Sequence, residues 1–274
     1  MIVMILVTGA TGTVGRHLTR LLHDGGHPVR AMTRGGSGPL PAGVEVAYAD
    51  FTDPVSLRRA VAGVRAVFLL TAPPVPGPGF DRDLLDAARE AGVATVVKLS
   101  AIGTGEEFAG ATVGAWHLAA EEAVRDSGLS WTILRPSSFA SNTLHWAGAI
   151  RAGQPVPNLT GDGRQGVIDP ADIAAVAAAA LTGPGHDGRT YTLTGPELLS
   201  VPEQAGILAE VIGRPVATTA VDSVPGLPPE AVLGSAWARA GHNAVLTDHV
   251  RDVLGRSPTR FREWAEACFR DRVA

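Results

Sequence analysis

Short apolar runs alternate with amphipathic segments throughout the first half of the chain. The apolar runs have the length of strands and cover residues 2–8, 29–32, 44–48, 66–70, 95–99 and 131–134. Between them, apolar residues recur at helical spacing over residues 14–23, 55–62, 80–91 and 113–127. Strands and helices that alternate in this way form a parallel sheet with helices on both faces. The pattern therefore predicts an α/β fold with a doubly wound parallel sheet.

The second half of the chain has a looser pattern, in which helices and short strand candidates are separated by loops rich in proline and glycine. We therefore predict two parts, a sheet domain over residues 1–136 and a smaller, partly helical substrate lobe over residues 137–274. The lobe is expected to pack on the sheet domain, and its strand elements can return to the sheet.

Composition and charge exclude several classes of protein. The 274 residues are 45% hydrophobic and carry a net charge of −4, which gives no basic stripe for nucleic acid or anionic lipid. Apolar segments such as IAAVAAAAL, at residues 173–181, are much shorter than the ~20 residues of a membrane helix. A single cysteine, Cys268, permits no internal disulfide and no cysteine cluster for a metal. We expect a cytoplasmic monomer or homodimer that binds neither nucleic acid nor membrane.

The sequence VTGATGTVG places Gly9, Gly12 and Gly15 between the first predicted strand and the first predicted helix. Glycines at this point let the backbone turn tightly and let a pyrophosphate approach the amides of the helix N-terminus, where the dipole favours an anion. The spacing is one residue longer than the common G-x-G-x-x-G fingerprint, but it lies in the strand-to-helix context that the fingerprint requires. The loop therefore predicts a bound dinucleotide and a Rossmann-type sheet.

Arg34 follows the second predicted strand and Asp50 follows the third, and both bear on the type of cofactor. Arg34 lies near the position at which NAD-binding proteins carry an acid for the ribose 2′-hydroxyl, and no acid occurs between residues 25 and 44. An arginine can instead bind a 2′-phosphate, which favours NADP(H) over NAD(H); the alternative is a solvated surface arginine. Asp50 has two interpretations, as an acceptor for the adenine amino group or as a turn-forming residue.

The segments TGATGTVG, DFTD, SAIG, EEAVRDSGLSWTILRP and YTLTGPE resemble the NmrA-like branch of the atypical short-chain dehydrogenases/reductases. This branch includes quinone reductases and relatives of the isoflavone reductases. The resemblance covers roughly residues 3–220 and implies a Rossmann domain that binds NADP(H), with a C-terminal lobe that closes a substrate cleft. It implies cofactor contacts from Thr11, Thr13 and Val14 at the pyrophosphate, from Thr71 and Ala72 at the nicotinamide ribose, and from Pro136, Ser137 and Phe139 at the nicotinamide. We also predict that Asp50 and Phe51, in DFTD, contact the cofactor.

The chain lacks the Tyr-x-x-x-Lys pair that short-chain dehydrogenases generally use for proton transfer. Tyr48 and Tyr191 are followed four residues later by Thr52 and Gly195, and the chain's one lysine, Lys98, has Ala94 at the matching position. The pair is therefore absent from the whole sequence and not merely displaced.

His117 and Glu121 lie one helical turn apart in GAWHLAAEE, where the missing pair would stand. A carboxylate beside a histidine favours the imidazolium form, so this pair is a candidate general acid. The alternatives are that His117 is a polar wall residue and that Glu121 pairs with Arg125. We predict no metal site here, because no third ligand is identifiable.

Aromatic side chains dominate the loops that follow the predicted strands. These loops supply Phe80, Phe108, Phe139 and Trp146 with few charges, and residues 73–78 form a stiff, proline-rich rim. Such walls suit a flat aromatic or quinone-like substrate better than a sugar nucleotide or a phosphorylated acid.

The leading hypothesis from sequence is an NADPH-dependent reductase of a quinone-like or other conjugated carbonyl substrate. A non-catalytic NADP(H)-sensing regulator is the first alternative, since the missing tyrosine and lysine are compatible with it. A sugar-nucleotide epimerase is the second alternative, which the missing tyrosine disfavours because that residue generally serves as the base.

Overall fold

A computed structural model describes residues 3–35, 38–72 and 75–270 of the chain. Ile2, the first residue of the first predicted strand, and Pro73 and Pro74, in the predicted rim, lie outside the described residues. Across the described ranges, no helix combines the length and the apolar composition needed to cross a membrane.

The elements of the first half match the predicted alternation of strands and helices. They are β1 (Met4–Val7), α1 (Gly15–Asp24), β2 (Val29–Thr33), β3 (Glu45–Tyr48), α2 (Pro54–Val61), β4 (Val64–Leu69), α3 (Gly79–Glu90), β5 (Thr95–Leu99), β6 (Glu107–Phe108), β7 (Ala111–Thr112), α4 (Ala115–Arg125) and β8 (Ser130–Pro136). The short antiparallel hairpin formed by β6 and β7 was not predicted.

The second half contains more helix and shorter strands. A 3-10 helix (Ala140–Trp146) is followed by α5 (Ala147–Arg151), β9 (Val156–Asn158), β10 (Gln165–Gly166), α6 (Pro170–Thr182), β11 (Arg189–Leu193), β12 (Leu198–Leu199), α7 (Val201–Ile212), β13 (Thr218–Ala220), α8 (Pro229–Arg239), α9 (His249–Leu254) and α10 (Phe261–Cys268).

Seven strands form one sheet in the order β11-β8-β5-β4-β1-β2-β3. The strands from β3 to β8 pair in parallel, with Val97 of β5, for example, lying between Phe68 of β4 and Thr132 of β8. The predicted Rossmann-type doubly wound fold is confirmed. The chain runs outward in both directions from β1 and β4, and ligands of such sheets bind outside the carboxyl ends of the strands at this switch point.

The described residues divide into two compact units that are each discontinuous in sequence. The first unit comprises Met1–Ala101, Ala115–Arg135 and Ile173–Tyr191, and the second comprises Ile102–Gly114, Pro136–Asp172 and Thr192–Ala274. The division differs from the single boundary predicted after residue 136. It differs because α6 and most of β11 belong with the sheet, whereas the β6–β7 hairpin belongs with the second unit.

Each unit has its own apolar core. In the first unit, Leu57 and Val61 of α2, Leu84 of α3 and Val124 of α4 are buried together with Val67 on β4. The core of the second unit joins helix residues such as Leu208, Phe261 and Trp264. The helical spacing of the apolar residues therefore reports which faces of these helices are buried.

The turn from β1 into α1 depends on glycine at two positions. Gly9 has φ +61°, in the left-handed region that favours glycine, and its carbonyl accepts a 2.9 Å hydrogen bond from the amide of Gly12. A Cβ on Gly15 would lie 2.1 Å from the same carbonyl oxygen, whereas a Cβ on Gly12 would lie 3.1 Å from it. Gly15 is thus required for the turn itself, and Gly12 leaves space on the outer side.

Gly15→Ala is expected to lower the free energy of unfolding by about 2 kcal/mol or more, because the clash is with backbone that cannot rotate away. Gly12→Ala should cost less. Gly206→Ala, in the middle of α7 with no atom within 4 Å of the new Cβ, is the matched control and should be neutral or stabilising. Urea unfolding followed by circular dichroism measures all three, and equal stability of the Gly15 and Gly206 variants would contradict the account of the turn.

Candidate functional site

The glycine loop presents an exposed helix N-terminus at the carboxyl end of β1. Thr11, Gly12 and Thr13 are exposed, while Val14 and Gly15 are buried beneath them. Helix α1 begins without a side-chain cap, and its first turn carries no acidic residue. The amides of a first turn have no partner inside their helix, and the positive end of the dipole attracts an anion. The loop therefore fits the pyrophosphate of a dinucleotide.

Arg34 and Asp50 lie close enough for their charges to interact. Arg34 is exposed just beyond β2. Hydrogen bonds from the Thr52 hydroxyl and amide, and then the positive charge of Arg34, hold the pKa of Asp50 below its usual value. Asp50 Oδ1 accepts hydrogen bonds from the hydroxyl and the amide of Thr52, at 2.6 and 2.8 Å. Asp50 therefore forms a turn, which is the second of the two interpretations given from the sequence. Its contact with adenine stays a prediction.

Phe80 stacks on Phe51, with ring centroids 5.2 Å apart and planes 11° from parallel. The sequence predicts Phe51 for the cofactor and Phe80 for the substrate, but the structure brings these two rings together. Phe51 also packs on the core of the first unit. Phe80 therefore lies against a residue predicted for the cofactor, and its contact with a substrate stays a prediction.

A buried ion pair that was not predicted lies at the carboxyl ends of β4 and β5. Lys98 Nζ is 2.9 Å from Asp81 Oδ1, and neither side chain is exposed. The Thr71 hydroxyl donates to Asp81 Oδ2 at 2.8 Å and accepts a long, 3.4 Å hydrogen bond from Lys98. Thr71 is buried and Ala72 is exposed. A charged residue inside the apolar run TVVKL was the signal in the sequence that this cluster exists.

Glu121 is fully buried and is bound by three side chains. Its carboxylate accepts from the Ser100 hydroxyl at 2.6 Å, from Arg135 through two bonds at 2.8 and 2.7 Å, and from Arg125 at 2.7 Å. Burial alone would raise the pKa of Glu121, but the hydrogen bonds from Arg135 and Ser100 outweigh it and the net pKa is lowered. The pairing with Arg125, held open as an alternative, is present. Glu121 is a structural carboxylate here.

His117 does not form the predicted general-acid pair with Glu121. Burial first and the positive charge of Lys98 second lower the pKa of His117, and the opposing effect of Glu121 is smaller than either, so that the net pKa is about 3. The imidazole stacks on Trp116 with centroids 3.6 Å apart, and its Nδ1 is enclosed without a hydrogen-bond partner. The expectation that Glu121 keeps His117 charged is wrong, because the carboxylate is already engaged by the arginines and the site desolvates the ring.

In the second unit, the segment predicted for the nicotinamide is held by buried amides. Pro136 and Ser137 are buried. The Ser137 hydroxyl bonds to Asn243 Oδ1 at 2.9 Å, and Asn243 Nδ2 bonds to Gln165 Oε1 at 3.1 Å. Such a chain of buried polar groups gives the segment a defined position because each group has its partner.

The remaining predicted aromatic residues pack within the second unit. Phe139 bridges to Ile168. Phe108 contacts His242 edge-on at 5.3 Å and lies against the small apolar cluster around Trp237, and Trp146 packs on the main core of that unit. All three are partly exposed, and their contact with a substrate stays a prediction.

Comparison with known proteins identifies the class of this fold and site. A family model described as NAD(P)H-binding matches residues 9–184. A (4-alkanoyl-5-oxo-2,5-dihydrofuran-3-yl)methyl phosphate reductase of Streptomyces griseus is 42% identical, with 96% of each chain covered. An NAD(P)H azoreductase of Xenophilus azovorans is 36% identical, with 96% of this chain and 97% of the relative covered. An NADPH-dependent quinone oxidoreductase from Escherichia coli, solved with NADPH, is 25% identical with a TM-score of 0.80, over 97% of this chain and 99% of that one.

The chain belongs to the NAD(P)H-binding family of atypical short-chain dehydrogenase/reductase proteins, and it is an oxidoreductase. The family resemblance predicted from the sequence is confirmed.

The free energy of unfolding should decrease as the pH is lowered below about 6.5, because of His117. Its pKa in the folded protein is about 3, below the ordinary value of 6.5, so the unfolded chain binds a proton first as the pH falls. The stabilisation is complete above pH 6.5 and is lost progressively on acidification. We expect His117→Phe to lose less unfolding free energy than the wild type between pH 7 and pH 5. Urea unfolding at several pH values measures this, and parallel pH slopes for the two proteins would contradict the lowered pKa.

Proposed function

We propose that this protein is an NADPH-dependent reductase of quinone-like or other conjugated carbonyl compounds, with solvent as the source of the proton. The observation that carries the proposal is that the carboxylate of Glu121, the partner predicted for His117, is already bound by Arg135, Arg125 and Ser100. The tyrosine–lysine pair is missing from the sequence, and burial lowers the pKa of His117 to about 3, so the proposal assigns the proton to solvent and not to these positions.

A site without a general acid suits hydride acceptors that can be reduced without general acid catalysis. When bound, NADPH supplies a hydride, which adds two electrons to the acceptor. In a quinone or an activated enone, the resulting negative charge is delocalised onto carbonyl oxygens, so protonation can follow from water. An isolated ketone would instead form a localised alkoxide, for which general acid catalysis typically contributes 10²–10⁴-fold. Selection among acceptors then follows from the absence of the acid.

The substrates in the names of the relatives have this electronic property in common. The ring double bond in the name of the S. griseus relative is conjugated with two carbonyl groups, and azo compounds and quinones are likewise electron-poor conjugated systems. The phosphate in the first of these names differs from the apolar substrate predicted from the aromatic loops. We therefore include a phosphorylated butenolide among the candidate substrates.

Preference for NADPH is expected from Arg34, whose guanidinium lies near the carboxylate of Asp50 at the end of β2 and β3. Titration of NADPH and NADH into the wild-type protein should give tighter binding of NADPH by about 1–3 kcal/mol, the range of a charge-assisted hydrogen bond. Arg34→Ala should remove most of this difference and leave NADH affinity nearly unchanged. Equal affinities of the wild type for the two cofactors would contradict the role of Arg34.

The function is tested by anaerobic NADPH oxidation with quinones, azo dyes, activated enones with and without a phosphate, and isolated ketones. We expect turnover of the first groups and none of the isolated ketones. The rate should be nearly independent of pH from 5 to 8, because the pKa of His117 lies far below this range. Binding of NADPH without turnover of any acceptor would support the sensor instead. Turnover of ketones at a rate that falls as the pH rises through about 6.5 would restore His117 as the acid.

A further inference from the structure

Two sets of buried polar contacts hold the segment that follows β4. The Thr8 hydroxyl donates to the Leu70 carbonyl at 2.8 Å and accepts from the Leu70 amide at 2.7 Å. One residue later, the Thr71 hydroxyl is held by Asp81 and Lys98. Ala72, which follows immediately, is exposed. The backbone therefore leaves the sheet at a fixed position and presents Ala72 at the switch point.

The ion pair of Lys98 and Asp81 is not an efficient way to stabilise a core. Both side chains are completely buried, and Lys98 is the one lysine of the chain. Removing two charges from water costs free energy that their attraction only partly recovers, so well-packed apolar residues often stabilise a core as well or better. Retention of the ion pair therefore points to a role besides stability. Perturbed, buried ionisable groups of this kind concentrate at functional sites.

The direction of the hydrogen bonds limits what Thr71 can do. Its single hydroxyl proton is directed to Asp81 Oδ2, and one of its lone pairs faces Lys98 Nζ. The hydroxyl cannot turn toward a ligand without breaking the contact with Asp81. Thr71 consequently acts through its fixed backbone, and the ion pair sets where that backbone lies.

The same lysine contributes to the electrostatics of the neighbouring helix. Asp81 and Glu121 are the carboxylates whose charges act on Lys98, and Lys98 and Glu121 are the charged groups that act on His117. Burial lowers the pKa of Lys98, and the attraction of Asp81 opposes this effect. The ion pair thus contributes to the field near His117 as well as to the position of Thr71.

We propose that Lys98 and Asp81 are positioning residues for the nicotinamide end of the cofactor, which they serve by fixing the Thr71–Ala72 backbone against the nicotinamide ribose. The inference rests on the proposed function for the binding of NADPH, and on the family resemblance for the contact of Thr71 and Ala72 with the nicotinamide ribose. The inference adds the two residues that hold the Thr71–Ala72 backbone, Asp81 and Lys98, and places the charge of Lys98 next to it.

The single lysine permits a direct spectroscopic test. In wild-type protein made with ¹³C-lysine, the ε-carbon gives one lysine resonance, which is recorded without cofactor, with NADP⁺ and with NADPH at fixed pH. Oxidised nicotinamide carries a positive charge that the reduced ring lacks, so the resonance should differ between the two complexes. An identical resonance in both complexes would overturn the proposal. NADPH fluorescence in the same sample establishes binding, and its failure would instead contradict the proposed function.

Two double variants separate positioning from stability. Lys98→Met with Asp81→Asn removes both charges and keeps an oxygen acceptor for Thr71, whereas Lys98→Met with Asp81→Leu removes the acceptor as well. Matching changes on both sides avoid leaving one charge buried and unpaired. Both variants should bind NADPH more weakly than the wild type, because both lose the ion pair. The loss should be smaller in the Asn variant, which keeps an acceptor for Thr71, and about 10-fold or more in the Leu variant, since one lost hydrogen bond alone has about that value.

Adenosine 2′,5′-bisphosphate is the matched control ligand, because it contains the adenosine phosphates and lacks the nicotinamide half. Its affinity should be the same in the wild type and in both double variants. Equal NADPH affinity in all three proteins would overturn the proposal, and so would a parallel loss of affinity for both ligands. If neither variant folds, the lysine resonance of the wild type decides the question.

Discussion

The carboxylate of Glu121 joins three elements of the sheet unit at its carboxyl edge. Ser100 directly follows β5, Arg135 lies near the end of β8, and Arg125 ends α4. A buried carboxylate without partners would cost several kcal/mol, so the folded state requires all three elements to meet at this point. The helix that carries His117 is thereby placed against the strand ends, and the glycine loop, the Lys98 ion pair and the Thr71–Ala72 backbone belong to the same edge.

The charges at this edge are satisfied internally. Glu121 is bound by arginines and Asp81 is bound by Lys98, so the carboxylates are not available to share a proton with His117. In a classical short-chain dehydrogenase, the corresponding region supplies a proton. In this chain the same region holds two buried carboxylates in ion pairs with Lys98 and with Arg125 and Arg135, which fixes the positions of these charges.

The sequence predicted the sheet well because burial on one face imposes a helical or strand period, which can be counted without knowing any partner. The glycine loop was predictable for a related reason, since the clash at Gly15 involves only residues nearby in the chain. Partners distant in sequence were the difficulty. Lys98 meets Asp81 from another element, and Glu121 was assigned to His117 although Arg135, on the next strand, competes for it more strongly.

The β6–β7 hairpin could not be predicted from periodicity, because each strand contains only two residues. The helix that follows it was predicted, yet the hairpin belongs to a different unit from that helix. Boundaries between units depend on contacts with segments that come much later in the sequence. In α8, for example, Trp237 Nε1 donates to Oε2 of Glu106, just before the hairpin, at 2.9 Å. A prediction made from local composition places one boundary where the composition changes and misses this exchange of segments.

The edge strand β11 arises from residues 189–193, far along the chain from the β8 strand beside it in the sheet. A ribosome has therefore to synthesise α6 and β11 before β8 acquires its outer neighbour. Until then the nascent sheet ends in an unpaired strand, a state that favours intermolecular strand pairing. The NAD(P)H-binding part of this protein is consequently more exposed to strand pairing with other chains while residues 137–193 are being synthesised, even though its glycine loop emerges first.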